Sequence, residues 1–404
     1  MIVSSLRCIT GSSRGTLLKQ VCLLKNKMNN SNILQCAFIT TKTMRGEKKL
    51  RPAPFPYKEK KLSYFRCWFM DNLLKRFDEN TKLLVVEGSI ASGKSAVAKQ
   101  LADELDMLYM PEVTMDMKYI NEYGYDLRQL DDQLGESAKS CDVKKYYQNP
   151  HHMNVAKFQL SMYMYRFIQY MDALKHILNT GQGVILERCV YSDVVFLETM
   201  HKFNYLSKGV KSYYYEVKRN TIDELIRPHL VIYLDVPVNI LMNRIKQRNI
   251  DYEVNSKVLT KEYLTGLENE YRKYLNFISE HAELLVYDWS NFGDIEVVAE
   301  DIERLDFDQY GIYDNKLKDW RIEGKGDWDR LRMKYTAQQD SVLMYFNVPR
   351  FDVPEILMTT DDAEVYHDLV DNAPGNKYIP GYNADMGDKW TLFKTKVPPI
   401  RYVK

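Results

Sequence analysis

The sequence is poor in the residues that staple or thread a chain. Six cysteines, Cys8, Cys22, Cys36, Cys67, Cys141 and Cys189, are spread over 404 residues. No two have the short spacing of a metal or redox pair, which argues against a metal cluster and a disulfide framework and for a reducing compartment. No apolar run reaches the roughly 18 residues that suggest a membrane-spanning helix. A strong excess of one charge is missing too: the net charge is +1 with 27% charged residues, too balanced for a nucleic-acid-binding footprint. At 45% hydrophobic composition, the chain is long enough for a large core with extensions.

One absence is local. The first 46 residues contain no Asp or Glu, yet carry Arg7, Arg14, Lys19, Lys25, Lys27, Lys42 and Arg45 among many Ser, Thr and Asn. The apolar stretch Leu17–Leu24 is interrupted by Lys19 and Gln20, so it lacks the core of a secretory signal. Basic, hydroxylated and acid-free is the composition of a mitochondrial import sequence, here residues 1–45. The alternative is a disordered basic tail. Residues 46–80 follow as a Pro- and Lys-rich extended arm and lead-in, either wrapping a partner or hanging in solvent.

What is present begins at Leu83. Strand-like runs at Leu83–Glu87, Met107–Met110, Val184–Glu187, Leu230–Asp235 and Leu284–Asp288 alternate with helical stretches near Lys94–Leu105, Val155–Asn179, Ser192–Phe203, Val238–Arg248 and Thr260–His281. Such alternation predicts an α/β domain, residues 81–304, with helices on both faces of a five-stranded parallel sheet. Pro237 is placed to open a helix at its first position. Val155–Asn179 is apolar nearly all round and reads as a central buried helix. Residues 305–404 are irregular and rich in aromatic residues, including Trp320, Trp328, Tyr378, Tyr382 and Trp390. So many rings suit packing on this domain or on partner subunits better than disorder.

The first strand runs into Gly88, Ser89, Ile90, Ala91, Ser92, Gly93, Lys94 and Ser95, a Gly-x-x-x-x-Gly-Lys-Ser loop opening a helix. The glycines let backbone amides curl around an anion, and the helix terminus and Lys94 add positive charge. The Ser95 hydroxyl is a Mg²⁺ ligand in such loops. A P-loop nucleotide-binding fold is expected.

Further motifs resemble the deoxyribonucleoside kinases over roughly residues 80 to 290. Leu186, Glu187 and Arg188 resemble the family's acidic-Arg-Ser signature, with Cys189 in place of the serine. Tyr147 to Pro150, followed by Phe158 and Gln159, resembles its base-recognition helix. Tyr233 to Pro237, leading to Arg244 and Arg248, resembles the strand and helix before its arginine lid. The resemblance implies a nucleotide, ATP or a deoxynucleotide, with Mg²⁺ held by Ser95 and Glu187, a substrate oxygen steadied by Arg188, and Glu112 as candidate base.

Several positions depart from that pattern. The family's glutamate precedes a proline, whereas here Pro111 precedes Glu112. A slip of one residue along a strand turns a side chain to the other face, so Glu112 is expected to be misaligned. No aromatic platform for the nucleoside is evident in Val113–Lys118. Gln159 has either a base or a backbone carbonyl for partner, and Glu187 either Mg²⁺ or a buried ion pair. Arg244 and Arg248 face one way at a helical i,i+4 spacing, as a lid or as a solvated basic face. The lid's further arginine is replaced by the stretch Asn249, Ile250, Asp251, Tyr252.

The import segment and aromatic C-terminal region make the chain similar to one branch of this family, the kinase-like accessory subunits of mitochondrial respiratory complex I. That branch implies a structural subunit on the matrix side of the inner membrane, with other complex I subunits as partners and no electron-transfer or quinone chemistry. The branch has also been described as carrying FAD, though no Gly-x-Gly-x-x-Gly fingerprint is present. The other reading is an active mitochondrial deoxyribonucleoside kinase.

Overall fold

The computed structural model describes residues 38–45, 51–311 and 313–389. At its centre five parallel strands form one sheet in the order β2-β3-β1-β4-β5. They are β1 (Leu83–Gly88), β2 (Leu108–Met110), β3 (Val184–Glu187), β4 (Leu230–Asp235) and β5 (Glu283–Asp288). β1 is buried at every position, which explains its apolar run Leu83–Val86: in a parallel sheet covered on both faces, neither side of a strand meets water. β1 and β3 are neighbours, with Val86 opposite Glu187. The chain leaves β1 towards β2 on one side of the sheet and leaves β4 towards β5 on the other, so the connections diverge from these two adjacent strands. A crevice outside the strands' C-terminal ends is where open α/β sheets take their ligands.

Helix α1 (Lys94–Leu105) packs on β1, β2 and β3. Helix α2 (Val155–Thr180) is buried along most of its length and lies against β1 and β3. It stops where Gly181 adopts φ 78, a left-handed cap. Helices α3 (Asp193–Lys202), α4 (Lys208–Thr221), α5 (Val238–Arg248), α6 (Lys261–Ser279) and α7 (Ile295–Glu303) complete the layers. Pro237 stands one position earlier than its sequence suggested, as the residue capping α5, with extended ψ of 140.

The flanking segments lie against this body. Ile39 is fully buried, the amide of Thr41 donates to Glu303 at 2.6 Å, and Arg45 pairs with Asp106 at 3.1 Å. Of the segment read as an import sequence, residues 1–37 lie outside the described residues, as do 46–50 of the arm and Trp390. The described part of the arm does not hang in solvent: Phe55 and Tyr57 are buried, and the Tyr57 hydroxyl meets His176 at 2.8 Å. Past α7, helix α8 (Lys325–Ala337) packs on α2. Its Arg332 is fully buried, with Asn179 and Asp71 each at 2.9 Å. The buried Trp328 meets Phe77 edge-on. Helix α9 (Thr360–Asp371) reaches across to residues 127–138.

Candidate nucleotide site

The loop after β1 is shaped by two glycines. Gly88 has φ 151, and a Cβ there would sit 2.9 Å from the Ser92 hydroxyl and 3.0 Å from the Leu234 carbonyl. Gly93, with φ 96, turns the chain into α1, while Ala91 is also left-handed at φ 59. Among the described residues, the amides of Ile90 to Ser95 donate to no protein group, leaving a row of donors at a helix N-terminus. Lys94 is buried, and its ammonium donates to the Ser89 carbonyl at 2.8 Å. Burial pulls its pKa down to about 8, helped by the Arg188 guanidinium. The Ser89 and Ser92 hydroxyls are buried without partners. An anionic phosphate would satisfy amides and ammonium together.

Ser95 and Glu187 meet at the head of α1. The Ser95 hydroxyl donates to Glu187 at 2.7 Å, and Tyr109 donates to the other carboxylate oxygen at 2.9 Å. The Glu187 carboxylate thus has hydroxyl partners rather than the buried ion pair weighed above. A hydroxyl and a carboxylate side by side next to a phosphate cradle are the hard oxygen donors Mg²⁺ takes, with phosphate and water completing its shell.

Glu112 overturns the expected misalignment. β2 ends at Met110, so Pro111 and Glu112 lie past the strand and the two-residue alternation of the pleat no longer governs them. The Glu112 carboxylate lines the same cavity as Lys94, accepts from Arg188, and lies 3.3 Å from Arg166. Burial alone would raise its pKa, but Arg188, Lys94 and Arg166 together hold it down at about 2. Arg188 also donates to the Gly88 carbonyl at 3.1 Å and takes a left-handed φ of 61, a conformation costly for a residue with a Cβ.

Arg166 and Asp193 were missed in the sequence. Arg166 donates to Asp193, whose other oxygen accepts from Gln159 at 2.9 Å and Tyr214 at 2.8 Å. The partner of Gln159 is therefore a carboxylate rather than a backbone carbonyl. A signal existed: Arg166 follows Gln159 by two helical turns on a helix otherwise suited to burial, and a buried cation needs an acid. The missing aromatic platform is supplied from elsewhere. Phe196 lies 4.8 Å from both the Arg166 and Arg188 guanidinium carbons, and Tyr147 and Phe158 also line the cavity.

The lid residues separate. Arg244 does not line the cavity; it donates to the carbonyls of Ser92 at 3.2 Å, Trp289 at 2.7 Å and Ser290 at 3.0 Å, and stacks on Phe292. Arg248 reaches the cavity but pairs with Glu253 just beyond α5. The two do not face one target as their spacing suggested. The whole cavity is about 720 Å³ and runs without a break from the phosphate loop to Phe158 and Tyr263. At its mouth Arg128 pairs with Asp116 and Asp126, each at 2.8 Å. The C-terminal region latches this segment: Asp362 accepts from the Ser137 amide at 3.0 Å, and Asn121 donates to the Pro374 carbonyl at 2.6 Å.

Comparison with known proteins agrees with this geometry. The deoxynucleoside kinase family profile matches residues 84–316. The chain is 27% identical over 241 residues to a deoxyguanosine kinase of Dictyostelium discoideum, 58% of this chain and 74% of the other. The fold and site define a deoxynucleoside-kinase-like protein. Similarity extends further to mitochondrial NADH dehydrogenase (ubiquinone) 1 alpha subcomplex subunit 10: the rat protein is 37% identical over 327 residues, 80% of this chain and 87% of its own. The bovine protein is 35% identical over 323 residues, 79% of this chain and 89% of its own. The chain belongs to the deoxynucleoside kinase family and, within it, to the family of that mitochondrial subunit.

Proposed function

We propose that this chain is an accessory structural subunit of mitochondrial respiratory complex I, on the matrix side and peripheral to the inner membrane. The proposed role includes a nucleotide bound in the kinase-like site and no step in electron or quinone chemistry. Among the described residues no helix is long and apolar enough to cross a membrane. The observation that carries the assignment is the similarity to the rat subunit over 327 residues, 80% of the chain and a longer stretch than the kinase profile's residues 84–316. The intact phosphate loop supports the nucleotide, ATP or a deoxynucleotide. Ser95 and Glu187 would hold Mg²⁺, which when bound offsets the phosphate charge. A ligand that binds only the folded chain stabilises it by about 2.7 kcal/mol at a hundredfold excess over Kd. That is reason to retain the loop without turnover. FAD has no comparable support, because the turn before α1 is a phosphate loop and not a dinucleotide fingerprint. The burial of Ile39 supports import cleavage ahead of Phe38, so that the packed segment of residues 38–45 stays with the domain.

Native-gel separation of mitochondrial extract tests the assignment: the chain should migrate with the complex, and migration as a free monomer would overturn it. A second reading, an active deoxynucleoside kinase, is favoured by Glu112 and Arg188 meeting inside the cavity. Purified chain given labelled ATP and each deoxynucleoside in turn distinguishes the two. Product that disappears in Glu112→Gln would establish transfer.

A further inference from the structure

Leu62 and Cys67 are buried with Phe55, Tyr57 and Met333 in a small cluster separate from the main core. The helical turn between and after them presents its other side chains outward. Tyr64 is 57% exposed, Phe65 65%, Trp68 47%, Phe69 77% and Met70 67%. The turn is held in place, since the Tyr64 hydroxyl accepts from Gln338 at 2.6 Å and the Trp68 carbonyl accepts from Lys325 at 3.0 Å. Residues 66–70 form a π-helical turn, a geometry that recurs at functional positions. An exposed cluster of large rings on an anchored turn marks a contact surface.

Charge and size indicate what covers it. Lys60, Lys61 and Lys75 are exposed beside the rings, and Lys58 and Arg66 are half-buried. The acids nearby are Glu59, Asp71 and Asp329; Asp71 is already paired with Arg76 and Arg332, and Asp329, beside Cys67, with Lys325. The surroundings are therefore cationic. Five partly exposed side chains on one turn are also far fewer than the roughly 20–30 residues a side of a stable protein interface. A bilayer surface needs no matching shape: each ring adds its own buried area, and each lysine its own attraction to lipid phosphate. We propose that the turn Tyr64–Met70 docks on an anionic phospholipid surface, with Phe65, Trp68, Phe69 and Met70 dipping among the headgroups and Lys60 and Lys61 on the phosphates. This does not depend on the nucleotide site.

The test is flotation of the full chain recovered from mitochondria with vesicles of phosphatidylcholine, with or without phosphatidylglycerol. Binding should require phosphatidylglycerol and fall about tenfold or more in Phe65→Glu/Phe69→Glu, through loss of ring burial. Lys60→Glu/Lys61→Glu should weaken it by more than about fivefold per site and flatten its salt dependence. Phe69→Ala is a milder variant with a smaller loss, and unchanged thermal unfolding certifies the fold in each case. Flotation indifferent to these changes overturns the proposal. So does a chain that ignores vesicles while Phe65→Glu/Phe69→Glu drops out of the native-gel complex, which would make this a protein-facing surface.

Discussion

The two ends of the cavity have been treated differently. At the phosphate loop and acceptor end, the groups a nucleotide needs face the cavity: Lys94, Ser95, Glu187, Glu112 and Arg188 all line it. At the lid end, Arg244 lies outside the cavity on three carbonyls, and Arg248 reaches it but is ion-paired with the Glu253 carboxylate. Among the described residues the Lys94 ammonium, by contrast, donates only to the neutral Ser89 carbonyl. Holding a phosphate requires only the first set. Stabilising a γ-phosphoryl in transfer requires lid cations free to meet charge that develops there. A site with one end presented and the other tied down is suited to binding more than to turnover.

The largest effect that would break this comparison is at the loop. Lys94→Ala should weaken nucleotide binding about 100-fold, the loss of one or two charge-assisted hydrogen bonds, read by calorimetry. If the loss is small, the loop is not the anchor. Next is pH. Lys94 has a pKa of about 8 in the free protein, and a bound phosphate would raise it, so binding above that value must take up a proton. Affinity should be insensitive to this group below pH 8, then fall by up to about tenfold per pH unit until the pKa of the bound form is passed. Lys94→Ala should lose that slope.

Smaller effects sharpen the lid side. Arg248→Ala and Arg244→Ala should each change nucleotide affinity by less than about threefold, because a cation already paired contributes little to a new partner. A loss comparable with Lys94→Ala would mean that the lid reaches the phosphates. Asp362→Ala, which unlatches the C-terminal helix from Ser137, should raise amide exchange across residues 115–142 and leave the sheet unchanged. Equal exchange would show that the latch does not hold the mouth.

The anchored end was legible because it is local. The loop, the strand before it and the helix behind it are contiguous, and periodicity located all five strands within a residue or so. Glu112 was misjudged because pleat geometry was applied beyond Met110, where the strand stops. Helix α4 went unread: its Lys and Arg content hid Val210, Tyr214, Val217 and Thr221, which are buried along one face. The latch had no local trace, because Ser137 and Asp362 are 225 residues apart in the chain. The separation of Arg244 from Arg248 depends on carbonyls from the loop after β5, which helical spacing cannot reveal.

The central claim is that the loop holds a nucleotide while the chain serves as a subunit. Denaturing the complex isolated from mitochondria, and identifying released small molecules by mass spectrometry, tests it most directly. One nucleotide per chain from the native protein, and none when Lys94→Ala replaces it, is the predicted result. A native complex that carries this chain and releases no nucleotide would contradict it.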